Sequence, residues 1–117
     1  MARLSTHVLD TAKGGPAAGM RIDLHRLDAT GLPRHLKTVT TNADGRTDEP
    51  LLAADALTAD TYRLTFHVGD YFAAAGSPDA CRFLRLVPVE FGIDDPAATY
   101  HVPLLVSPWS YSTYRGS

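Results

Sequence analysis

The sequence predicts an all-β fold, an antiparallel β-sandwich of about eight short strands with one short helix. Two observations carry the strands. Apolar and polar residues alternate with a period of two in one segment after another, the signature of strands with one buried face. Turn signals of Gly, Pro, Asn and Asp separate those segments about every ten residues, the spacing of a sandwich rather than of βαβ units. A third observation supplies the helix. Residues 70–76 read Asp-Tyr-Phe-Ala-Ala-Ala-Gly, and Ala is the best helix former while Gly suits the C-terminal cap.

The elements follow in order. Residues 4–10 alternate, with Leu4, Thr6 and Val8 on one face and Ser5, His7 and Leu9 on the other. Residues 11–19, crowded with Gly, Ala and Pro, form a loop. Residues 20–28 make a second strand, Met20, Ile22 and Leu24 inward, Arg21, Asp23 and His25 outward. Thr30-Gly31-Leu32-Pro33 turns the chain into a third strand, residues 35–41, whose β-branched run suits a sheet. Asn42-Ala43-Asp44-Gly45 is a strong turn, and Arg46 follows at the start of the next segment. Residues 51–57 fit either a helical turn or a short irregular strand. Residues 61–68 alternate most strictly: Tyr62, Leu64, Phe66 and Val68 against Thr61, Arg63, Thr65 and His67. Residues 83–91 are apolar on both faces, as in a central strand or one at an interface. The chain ends in a hairpin. Val102, Leu104 and Val106 alternate with His101, Pro103 and Leu105; Ser107-Pro108 breaks the strand; residues 111–114 return.

Size and charge narrow the function. A chain of 117 residues is expected to form one domain, 1–117. It can bury roughly two-thirds of its unfolded surface. Thirteen acids against 11 bases speak against nucleic acid or an anionic membrane as the main partner. Cys81 is the single cysteine, so no internal disulfide forms and an oxidising compartment is not implied. It reads as an inert small hydrophobe rather than a nucleophile. Residues 1–10 hold no apolar run of signal-peptide length, and no stretch approaches the roughly 18 apolar residues of a membrane span. The ending Arg-Gly-Ser is not the peroxisomal Ser-Lys-Leu. The expectation is a cytoplasmic protein.

Five histidines are the first candidates for chemistry: His7, His25, His35, His67 and His101. None pairs at the spacing of a zinc site and no second cysteine supports one, so neither metal nor cofactor is expected. His25, His35 and His67 read as solvated residues on strand faces. His7 and His101 sit in strands of mostly apolar or small residues. On the bare sequence each fits a buried histidine donating to a carbonyl as well as a site residue. Arg46 beside a turn reads first as a surface charge.

Three separated motifs shift that balance. Leu4-Ser5-Thr6-His7-Val8-Leu9-Asp10, Gly45-Arg46-Thr47 and the terminal Tyr114-Arg115-Gly116-Ser117 closely resemble the transthyretin-related 5-hydroxyisourate hydrolases, in order and over essentially the whole chain. Trp109 stands where such chains often carry Tyr, which keeps an aromatic at the hairpin bend. The resemblance implies the transthyretin-like sandwich and a homotetramer built as a dimer of dimers. It implies hydrolysis of 5-hydroxyisourate to 2-oxo-4-hydroxy-4-carboxy-5-ureidoimidazoline in urate breakdown. The substrate is a small molecule.

The chemistry fits those residue types. Water is a poor nucleophile at neutral pH, and a histidine near pKa 7 can take its proton. A planar guanidinium matches adjacent carbonyl acceptors and a developing oxyanion. The resemblance therefore makes His7 and His101 the flanking base and acid or orienting partner, with the base open between them. It gives Arg46 the substrate and its charge, Tyr114 and Arg115 the closure and binding of the pocket, and Ser117 an orienting role through its hydroxyl or carboxylate. Two other readings compete: a transthyretin-like carrier without catalysis, and a structural sandwich. A carrier has no need of a base, an arginine and a second histidine in one cavity.

Overall fold

Alternation sets the layers. The computed structural model describes residues 2–116. Strand β1, Arg3–Asp10, buries Leu4, Thr6, Val8 and Asp10 and turns Ser5, His7 and Leu9 outward. The loop after it contains a two-residue strand, β2 (Gly15–Pro16), paired to the end of β1. Strands β3 (Arg21–Leu27) and β4 (Pro33–Thr40) form a hairpin with a bulge at Leu24/His25. The ambiguous residues 51–57 do both things that they fit: β5 (Leu52–Ala53) pairs with the start of β1, and a 3-10 turn, Ala54–Ala56, follows. Strand β6 is Thr61–His67, and helix α1, Val68–Ala74, starts directly from it. Strands β7 (Leu86–Gly92), β8 (Thr99–Val106) and β9 (Tyr111–Thr113) complete the chain.

Two sheets result, in the orders β2-β1-β8-β9, with β5 also on β1, and β4-β3-β6-β7. Their inner faces interlock Leu4, Val8 and Leu104 with Ile22, Leu24, Leu64 and Phe66, all fully buried. Truncating such a leucine to alanine costs about 2–5 kcal/mol. The arrangement is the mostly-β sandwich with one short helix that the alternation predicts. One pairing departs from the antiparallel expectation: β1 and β8 run parallel, Leu4 beside Tyr100 through Asp10 beside Val106. A parallel pair needs a long crossover, and here it is nearly the whole intervening chain. Strand β7 lies at a sheet edge, with Val87 and Val89 buried and Leu86 exposed; Phe83 precedes it in a loop.

Among the described residues one buried side-chain polar atom, His25 Nδ1, has no hydrogen-bond partner, whereas Thr6 and Asp10 are matched. Thr6 Oγ1 donates to the Val102 carbonyl at 2.7 Å. Asp10 accepts from the amides of Ala12 and Lys13 and from the Tyr71 hydroxyl at 2.8 Å, which ties α1 to the end of β1. Burial, with that carboxylate, pushes the Tyr71 phenol well up. Cys81 is exposed in a turn at φ 62°, not packed as a small hydrophobe. Among the described residues no helix is long and apolar enough to cross a membrane.

Candidate active site

The outward face of β1 and β8 is a grid that the parallel register fixes. His7 lies beside Pro103, and Ser5 beside His101. Neighbouring strands stand about 4.8 Å apart and residues i and i+2 about 6.6 Å apart, which sets the His7 and His101 backbones roughly 8 Å apart on the diagonal. The side of β1 away from β8 is covered in pieces: β5 at Arg3 and Leu4, an isolated bridge from Arg46 to His7, and β2 at Leu9 and Asp10. On the far side of β8, β9 pairs Leu104 with Thr113 and the register continues to a bridge between His101 and Gly116.

Arg46 reaches His7 because the preceding turn is wired to β1. Asn42 Oδ1 accepts the amides of Asp44 and Arg46, and the Asn42 amide donates to the Arg46 carbonyl at 2.7 Å. Gly45 has φ +73°, and its carbonyl accepts the Val8 amide at 2.8 Å. A Cβ at Gly45 would lie 2.3 Å from the Val8 oxygen, so only glycine passes there. The Asp44 carbonyl takes a hydrogen bond from His7 Nε2 at 2.9 Å. A carbonyl only accepts, so Nε2 carries a proton and donates it to Asp44. This is also the carbonyl contact that a structural histidine makes.

His101 is half-buried, with Nδ1 2.9 Å from Ser5 Oγ. Burial lowers its pKa, and the charges of Arg46, His7 and Arg3 lower it further. The imidazole is therefore held uncharged at neutral pH. The Gly116 amide donates to the His101 carbonyl at 2.7 Å. A Cβ at Gly116 would stand 2.6 Å from His101 Cδ2, the carbon bonded to Nε2. Beside this face opens a cleft of about 250 Å³ bordered by Arg3, Ser5, Arg46, Thr47, Glu49 and Pro50. An uncharged histidine, a second whose Nε2 is bonded to a carbonyl and an exposed guanidinium can take a proton, orient a small polar ring and balance developing negative charge.

Three expected site residues thus converge: His7, Arg46 and His101. For Tyr114 the register is informative, since position 114 falls level with Pro103 and so in the row of His7. Tyr114 is exposed and also borders a second cleft at the sandwich rim. Arg115 turns to the other face, its guanidinium 4.5 Å from the Tyr100 ring centroid and 3.3 Å from the Thr99 carbonyl. Ser117, expected to orient the histidine or water, lies outside the described residues. Sequence reasoning did not single out Ser5, Asn42 or Arg3. Ser5 was on the right face by alternation, but its partner depends on the β1–β8 register. Among the described residues no group of three or more His, Cys, Asp or Glu is placed to hold a metal.

Comparison with known proteins identifies the family and the fold. The HIUase/Transthyretin family profile matches residues 4–116. The 5-hydroxyisourate hydrolase 2 of Rhizobium meliloti (strain 1021) is 58% identical over 118 residues, covering 98% of this chain and 96% of that protein. Among solved structures, a 5-hydroxyisourate hydrolase of Klebsiella pneumoniae superposes with a TM-score of 0.82 at 37% identity, covering 100% of both chains. An (S)-allantoin synthase superposes with a TM-score of 0.92 at 48% identity, covering 99% of this chain and 44% of that one. This chain thus spans less than half the length of the synthase.

Proposed function

This chain belongs to the HIUase/transthyretin family and hydrolyses 5-hydroxyisourate in urate degradation, and we propose that His7, Arg46 and His101 carry the reaction, with His101 as the base. The observation that supports this assignment is the lowered basicity of His101, which burial and the charges of Arg46, His7 and Arg3 produce together. Such a histidine is free to accept a proton at neutral pH.

In the proposed sequence, water loses a proton to His101 and its oxygen adds to a ring carbonyl. Arg46 binds the carbonyl oxygens and stabilises the oxyanion. The oxyanion collapses, the ring C–N bond breaks, and the leaving nitrogen takes the proton back from His101. The base is restored and one water has been consumed. His7, its Nε2–H committed to Asp44, presents Nδ1 to orient substrate or water. Tyr114 closes the row beyond Pro103. Arg115 binds substrate only if it leaves Tyr100, and Ser117 orients the histidine or the water. The product is 2-oxo-4-hydroxy-4-carboxy-5-ureidoimidazoline, and the compartment is the cytoplasm. The chain acts as one domain.

The working unit is a homotetramer, a dimer of dimers. Supporting it, β7 and β9 are both sheet edges. The exposed Phe83 and Trp109 rings stack at 6.3 Å, with Leu86 and Tyr111 also exposed. Apolar surface of that kind marks interfaces. Light scattering at micromolar concentration is expected to give the tetramer mass; a monomer refutes it. The catalytic assignment is tested by following absorbance of freshly generated 5-hydroxyisourate over its spontaneous decay. His101→Asn and His7→Asn should each fall close to that background while folding normally. A His101→Asn protein at the full rate removes His101 as the base.

A further inference from the structure

We propose that Ser5 is the positioning residue of His101: its hydroxyl holds the imidazole at Nδ1 and leaves Nε2 as the atom that exchanges protons with water and substrate. The inference rests on the reading of His101 as the base. Its geometry is independent of that reading. Ser5 and His101 are cross-strand partners in the parallel β1–β8 ladder, so their side chains leave the same face side by side. The Oγ–Nδ1 distance is 2.9 Å. Gly116 packs against Cδ2, on the Nε2 edge of the ring. The ring is therefore held at both ends, by a hydroxyl at one nitrogen and by backbone beside the other.

The hydrogen-bond inventory then defines the tautomer of the working base. For Nε2 to offer a lone pair, Nδ1 must carry the hydrogen and donate it to Ser5 Oγ. When Nε2 takes the proton of water, the ring becomes imidazolium and Nδ1–H still donates to Ser5. When Nε2 passes that proton to the leaving nitrogen, the starting tautomer returns. Ser5 gains and loses no proton in the cycle.

A hydroxyl suits this place better than a carboxylate. A carboxylate at Nδ1 would stabilise the imidazolium and raise its pKa. The groups around His101 are cationic or titratable: Arg3 and His7 on β1, and Arg46 on the turn bridged to it. Asp48 and Glu49 border the adjoining cleft with Ser5. Within that set a neutral partner fixes the ring without cancelling the effect of the arginines. Among the described residues, Ser5 is the hydrogen-bond partner of His101 Nδ1.

The test compares pH profiles of kcat/KM for the full chain and three Ser5 variants, with thermal unfolding as the control for folding. Ser5→Ala should lower kcat roughly tenfold or more with little change in KM, since the reacting atom is misaligned and substrate binding is not. Ser5→Thr keeps a hydroxyl on a side chain suited to strands, and should recover most of the rate. Ser5→Asp should move the acidic limb of the profile up by about one pH unit. A merely structural serine would lower activity in step with stability and leave that limb where it was. An unchanged kcat in Ser5→Ala, or an unmoved limb in a folded Ser5→Asp, overturns the proposal. His101→Asn separates the two levels. If it is inactive while Ser5→Ala is normal, only the role of Ser5 falls. If it is fully active, the base assignment falls and the role of Ser5 with it.

Discussion

The protein carries histidines on the outer faces of both sheets, and the two faces are built in opposite ways. On the β3–β6 sheet, His67 Nε2 donates to Asp23 Oδ2 at 2.8 Å. Thr38 donates its hydroxyl to Asp23 Oδ1 at 2.6 Å, and its oxygen accepts His35 Nε2–H at 2.8 Å. The chain of bonds ends on a carboxylate. Burial works against the charge of Asp23, but the bonds from Thr38 and His67 and the charge of Arg21 outweigh it and hold the carboxyl at about 2. On the β1–β8 sheet, His7 and His101 meet a carbonyl and a hydroxyl, with arginines nearby. One face commits His67 to a fixed anion and ties His35 to it through Thr38. The other keeps an uncharged histidine beside a cation. The number of histidines does not mark a site; what each nitrogen faces does.

Arg46→Lys should break the difference most sharply. Lysine keeps the charge but loses the planar fork, and activity should fall on the order of a hundredfold or more with the fold intact. Near-normal hydrolysis by the lysine variant would return Arg46 to the role of a surface charge. Deleting residues 114–117 should also cost at least about a hundredfold, because one wall of the row beyond Pro103 is lost. Circular dichroism should be unchanged, since β9 remains. A folded truncation with the full rate would refute an active role for that segment.

Gly116→Ala is a smaller change in the same place. The added Cβ at 2.6 Å must displace the His101 ring or the segment itself. Activity should drop about tenfold, with little shift in Tm. Equal activity would mean that the ring tolerates the displacement.

Asp23→Asn probes the opposite face. The folded pKa of Asp23 is depressed, so its contribution to stability is present above the unfolded value of 3.8 and lost as pH falls towards about 2. The variant should lose about 1–2 kcal/mol at pH 7, nothing further below pH 2, and no activity. The sign for His101 is the same, although its cause is burial and positive neighbours rather than bonds to an anion. A lowered histidine pKa favours the folded state above the ordinary value of 6.5 and loses that contribution as pH falls below it.

These contrasts also explain what the sequence could show. Alternation in residues 4–10 placed Ser5 and His7 on one face, and it was right because β1 buries its other face against the core. The hairpin at the end correctly set His101 within reach of the last residues. The parallel register of β1 and β8 joins residues 96 positions apart, and no local pattern encodes it. Arg46 beside a turn reads first as a surface charge at the start of the next segment, and the structure bridges it to His7 through the turn at Asn42 and Gly45. Arg115 belongs to a recognisable motif, but the register that continues past β9 carries its side chain to Tyr100 on the opposite face. The His67–Asp23–Thr38 network joins three strands and was hidden behind residues that read as solvated.

The central claim is that His101 is the uncharged base of the β1–β8 face. It is tested most directly by NMR titration of ring-labelled histidines, with His101 assigned by its loss in His101→Asn, beside the pH profile of kcat/KM. The account predicts that His101 takes its proton below 6.5 and that kcat/KM falls over the same interval. A His101 that protonates above 6.5 while hydrolysis continues through that pH would contradict it.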